Sequence, residues 1–113
     1  MKQTTGVKDD FKAILMELRF KEGNELVDEF ERILRKRIPH DIRDLSESIS
    51  REDIESIGKK AHFLTTTLVT LKFTRGVEIS DALQKTVQKS ALDESIELAH
   101  RFIQYLHQMI NEI

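Results

Sequence analysis

Cysteine and tryptophan are absent from the 113 residues, proline occurs once and glycine four times. Without cysteine there is no disulfide framework, no thiolate nucleophile and no zinc site built on sulfur, and a reducing, cytoplasmic setting is expected. No run approaches the roughly 20 apolar residues that cross a bilayer. The opening MKQTTGVKDDF also lacks the apolar centre of a signal peptide, so no membrane partner is expected. Charge of one sign is lacking too: 18 Lys and Arg against 20 Asp and Glu give a formal −2. No global positive field favours nucleic acid, which is excluded as an expected partner. What remains is 34% charged residues with few helix breakers and 6% aromatics, a composition that suits long amphipathic helices. The expectation is an all-α protein with one core, a single domain over 1–113 whose first seven residues form a flexible arm.

Periodicity divides the chain. Asp9 or Asp10 can cap a short first helix carrying Phe11, Ile14, Leu15 and Leu18 to about Phe20. Asn24 can cap a second, in which Leu26, Val27, Phe30, Ile33, Leu34 and Ile38 form a stripe that resumes after Pro39 at Ile42, Leu45 and Ile49. Proline in a helix interior removes a hydrogen bond, so 24–49 reads as one bent helix or two abutting ones. Ser50-Arg51-Glu52-Asp53 resembles a capping box for a central helix. There Ile54, Ile57, Ala61, Leu64, Leu68 and Leu71 hold one face at steps of three and four residues. Gly76 is the expected stop, and a shorter helix is expected to start at Ser80 or Asp81 and run to about Lys89. A last helix opens between Ser90 and Asp93, with Ile96, Ala99, Ile103, Leu106 and Ile110 inward and Phe102, Met109 and Ile113 widening the face. With no internal linker or repeat, these elements predict an antiparallel up-down four-helix bundle with an additional short N-terminal helix.

Catalytic triads, glycine-rich phosphate loops and HExxH metal motifs are all absent, which leaves four histidines as the chemistry-bearing candidates. At roughly 100° per residue, His62 lies about 130° from the centre of the central stripe, toward solvent. Gly58, one turn earlier, leaves its flank open in this reading. Lys59, Thr66, Val69 and Phe73 share the exposed side, with Phe63 on the opposite shoulder, a grouping that suggests a partner-docking surface. His40 reads as a surface residue near a helix start. His100 and His107 share a face of the last helix but lack the close partners a metal site needs, so no metal is expected.

The run Ala61-His62-Phe63-Leu64-Thr65-Thr66, with Pro39 upstream, an acidic start to the central helix, and a short then a long helix downstream, resembles the histidine-containing phosphotransfer (HPt) domains of two-component phosphorelays. The resemblance spans roughly 24–113. It implies a four-helix bundle in which His62 accepts a phosphoryl group, through Nε2, from the aspartate of a response-regulator receiver domain and passes it on. A neutral imidazole near pH 7 is an available nucleophile for that step. The resemblance further implies a sensor or hybrid histidine kinase as a partner, no cofactor bound by this domain, Mg²⁺ on the receiver, and a monomer. The family's lysine three residues after the histidine is Thr65 here, and the following small residue, usually Gly, is Thr66. Lys59 and the two threonine hydroxyls are then the groups nearest a phosphoryl on His62. Two alternatives stand beside this expectation: a degenerate adaptor that binds a receiver or kinase without efficient transfer, and a plain helical-bundle interaction domain.

Overall fold

The structure is a computed structural model describing residues 10–113. The arm expected over 1–7 lies outside the described residues. Five helices follow one another with almost no chain between them: α1 (Phe11–Glu22), α2 (Asn24–Ser50), α3 (Ile54–Thr70), α4 (Thr74–Gln88) and α5 (Leu92–Glu112). Among the described residues there is no strand, and no helix is long and apolar enough to cross a membrane.

The three connections within the bundle are built alike. Glu52, Lys72 and Ser90 each take a positive φ, and the residue after each returns to negative φ at the N-cap position of the next helix. Two backbone hydrogen bonds close each turn: Glu52 N–H to Ile49 C=O and Asp53 N–H to Ser48 C=O, with the same pattern at Lys72 and Phe73 and at Ser90 and Ala91. This is the Schellman termination, in which a left-handed residue lets the last carbonyls of a helix find donors. Glycine is the residue that adopts this conformation without steric cost, yet none of the three is glycine.

Several expected boundaries shift for that reason. Helix α3 stops at Thr70, not near Gly76, and α4 begins at Thr74, six residues before Ser80. Gly76 lies in the first turn of α4 and is buried. A Cβ there would sit 2.6 Å from the Tyr105 ring, so its smallness admits α5 rather than ending a helix. Asp53, not Ser50, caps α3, its carboxylate accepting from Ser56 N–H at 3.1 Å. Asn24 is the first residue of α2, preceded by Gly23 with φ 97°. Pro39 lies within one helix that runs through it.

Helices α2 to α5 pack in a closed ring, α2 on α3, α3 on α4, α4 on α5 and α5 on α2, an antiparallel four-helix bundle with α1 laid across α2 and α5. The α3 stripe is buried as its spacing predicts at Ile57, Ala61, Leu64 and Leu68. The inward face of α5 is rotated from the expected one. Ser95, Ala99, Phe102, Leu106 and Met109 are buried while Ile96, Ile103 and Ile110 lie on its margin. At the end of the bundle near the α3–α4 turn, Phe11 of α1 meets Phe73 and Tyr105 edge-on, at ring-centroid distances of 5.2 and 5.4 Å. Edge-to-face rings gain about 0.5–1.5 kcal/mol beyond area burial, so α1 closes the core rather than decorating it. Arg19 fastens the same helix to α2 through Asp28 at 2.7 Å and Glu31 at 2.8 Å.

Candidate functional site

Threonines are poor helix formers, and α3 contains four of them near its C-terminal half. Two bond back to the preceding turn: Thr65 Oγ1 to Ala61 C=O at 2.9 Å and Thr70 Oγ1 to Thr66 C=O at 2.9 Å. The first of these bonds belongs to the centre of the site. Ser80 of α4 also reaches Ala61 C=O, at 3.0 Å, and lies 2.5 Å from Thr65 Oγ1. Gln84 of α4 places its Nε2 3.1 Å from Thr65 Oγ1 and 3.2 Å from Ser80 Oγ, and its Oε1 3.3 Å from Nδ1 of His62.

The hydrogen-bond network favours one form of the imidazole. Each hydroxyl has one proton to give. With one proton in the short Thr65–Ser80 contact and the other given to Ala61 C=O, neither hydroxyl has one left for Gln84. The amide therefore donates to both hydroxyls through its NH₂ and turns Oε1 toward His62. An acceptor facing Nδ1 favours Nδ1–H, the tautomer in which the neutral ring's lone pair is on Nε2. The side chain of His62 is exposed, so the ring stands on the outside of the bundle.

His62 borders a shallow depression of about 360 Å³ between α3 and α4, where Glu55, Lys59, Val87 and Gln88 also stand. Lys59 Nζ is 3.2 Å from Glu55 Oε1, one turn before it, and both side chains are largely in solvent. Gly58 lines the same depression, but the open flank expected beside His62 is not there. A Cβ on Gly58 would come within 2.7 Å of Val87 Cγ1, so α4 occupies the space that glycine vacates.

The other expected site residues divide. Phe63 and Val69 are 51% and 56% exposed, available on the outer side of α3. The Arg37 guanidinium lies 4.3 Å over the Phe63 ring, an exposed cation–π contact. Thr66 is exposed and borders a groove toward α2 with Ile33 and Thr70. Thr65 is half-buried with its hydroxyl committed behind the imidazole. Phe73 is a correction. It is 0% exposed, because the helix ends before it and the Schellman turn directs it inward against Phe11.

Sequence reasoning missed Gln84, Ser80 and Glu55. Ser80 and Gln84 are one helical turn apart on α4, so a polar pair on one face was there to be read; what it faces is a tertiary fact. The remaining histidines offer less. His40 Nε2 is 3.6 Å from Asp44 Oδ2, and His100 and His107 are exposed on α5. Among the described residues no three His, Asp or Glu side chains gather as a metal site would need. A hollow of about 440 Å³ between α4 and α5, bordered by Glu78 and Gln108, contains no imidazole. No protein-family model, curated protein or solved structure matches this chain.

Proposed function

We propose that this chain is a phosphorelay intermediate of the histidine phosphotransfer type, with His62 Nε2 as the phosphoryl acceptor. The observation that carries the reading is the bond from Nδ1–H to Gln84 Oε1, held in place by Thr65 and Ser80. In the transfer, the Nε2 lone pair attacks the phosphorus of a receiver's aspartyl phosphate. The N–P bond forms as the P–O bond breaks, and the electron pair leaves with the aspartate carboxylate. The N-phosphorylated ring becomes an imidazolium whose Nδ1–H still points at Gln84 Oε1, an acceptor suited to the added positive charge. Reversal hands the group to a second aspartate. Positioning and charge neutralisation dominate such transfers. Mg²⁺ and the aspartate belong to the receiver in this reading, and a sensor or hybrid histidine kinase lies upstream. Phe63 and Val69 provide apolar contact beside the nucleophile.

Incubation with a phosphorylated receiver domain tests the proposal. The expected outcome is an acid-labile, alkali-stable label on this protein, abolished in His62→Gln; a label that survives the substitution removes His62 from the role. One observation favours a second reading, a docking adaptor that transfers slowly: Thr65 carries no charge and spends its hydroxyl inward, so no cation stands three residues after His62. Stable receiver binding without transfer, unchanged by His62→Ala, would select the adaptor.

A further inference from the structure

Glu55, Lys59 and His62 recur on α3 at steps of four and three residues, which puts them on one face above the same depression. Among the described residues lining it, Lys59 is the only lysine or arginine and Glu55 the only carboxylate. Their contact at 3.2 Å joins side chains that are each 78% exposed. Exposed ion pairs of this kind contribute little to stability, so the bond is easily exchanged. A phosphoryl group on Nε2 would bring about −1.5 to −2 charge to the mouth of the depression. Lysine answers such a change well, being a compact charge with three donors on a flexible stem. Glutamate cannot; it becomes a like charge beside the incoming anion.

We propose that Glu55 and Lys59 form an exchangeable pair that sets how readily His62 takes up a phosphoryl group, Lys59 leaving Glu55 for the phosphoryl oxygens while Glu55 opposes their arrival. The inference rests on the phosphoacceptor reading of His62. It makes Lys59 the substitute for the cation that Thr65 does not supply, and Glu55 a brake built one turn further back. Both act through charge alone, so their effects have opposite signs.

Phosphoramidate, a small anionic donor, tests this on the full chain without a receiver. The N–P bond to His62 forms as the donor's own P–N bond breaks and ammonia departs with the electron pair. Labelling is followed by intact mass for the wild type, His62→Gln, Glu55→Gln, Lys59→Gln and Lys59→Arg. At low ionic strength Glu55→Gln should label about three- to fivefold faster and Lys59→Gln slower by a similar factor, the size expected for a unit charge acting across a solvated turn. Lys59→Arg should restore the wild-type rate, and added salt should draw all the rates together. Equal rates across these variants, or both glutamine variants moving in the same direction, overturn the exchange while leaving His62 as acceptor. An unlabelled wild type, or a label retained in His62→Gln, overturns the acceptor reading and this inference with it.

Discussion

Helix α3 is held on its two sides by different chemistry. Toward α4 the seam is neutral: a carbonyl, two hydroxyls and an amide share their protons with none left over, and Gly58 lets Val87 approach closely. Toward α2 the seam adds ionic contacts to a Ser48–Ser56 hydroxyl bond at 2.8 Å. Lys60 Nζ reaches Asp44 Oδ2 at 3.2 Å, and Arg37 lies over Phe63 with its Nε 3.7 Å from Asp41 Oδ2. Asp41 is 3% exposed and that oxygen has no hydrogen-bond partner. Neutral donors and acceptors hold a fixed geometry across pH, whereas carboxylates change their interactions as they titrate. The histidine borders the seam whose geometry does not titrate. The phosphoacceptor role proposed for His62 depends on one tautomer and needs that constancy.

The strongest way to break the contrast is to force the neutral seam apart. Gly58→Leu pushes a side chain into Val87, and overpacking of this kind costs about 1–3 kcal/mol. We expect a loss near the upper end, about 2–3 kcal/mol in chemical denaturation, since the leucine also displaces the turn of α4 that carries Gln84. Val87→Ala removes the atom in the way, so Gly58→Ala should be better tolerated in that background than alone. Additive effects of the two alanine changes would show that α3 and α4 do not meet there.

A smaller change sharpens the same comparison. Gln84→Leu removes the acceptor from Nδ1 and the donors to Thr65 and Ser80, leaving those hydroxyls to each other and to Ala61 C=O. The expected cost is about 1 kcal/mol, that of losing part-buried hydrogen bonds whose partners keep an alternative. The more telling readout is imidazole ¹⁵N chemical shift. His62 should report mainly the Nδ1–H form in the wild type and move toward Nε2–H in the variant, with slower phosphoryl uptake. An unchanged tautomer would remove Gln84 from the positioning role.

Helical periodicity made the five helices, the buried stripe of α3 and the outward direction of His62 legible, because each is a property of one helix. The turns were not, since Glu52, Lys72 and Ser90 occupy positions where glycine is the usual signal, and the glycines that do occur have other tasks. Gly76 therefore read as a stop although it admits Tyr105, and running α3 on to it carried Phe73 to an exposed face that it does not occupy. Gly58 shows the same limit. A missing side chain looks like open space from within one helix, and only the neighbouring helix decides whether the space is filled. Gln84 lies 22 positions from His62, and nothing local in either segment announces their bond.

The least perturbing test lies on the ionic side. Burial pushes the Asp41 carboxyl above its ordinary range, more than nearby Arg37 and Lys60 lower it. The hydrogen bond from Lys60 draws Asp44, one turn on, below its ordinary range. The signs oppose. A raised folded value means that Asp41 contributes most to stability below its unfolded pKa, about 3.9, and that the contribution is lost as pH rises through the folded value. Asp44 contributes above the unfolded value and loses that contribution as pH falls. Asp41→Asn should thus stabilise the protein at pH 7 by about 0.5–1 kcal/mol, by removing a buried charge whose partner is distant. Denaturation midpoints should converge with the wild type in acid. Asp44→Asn should do the reverse, weakening the protein at neutral pH and converging as that carboxylate protonates. Neither change should move the labelling rate of His62, because the neutral seam that holds the imidazole takes no part in these titrations.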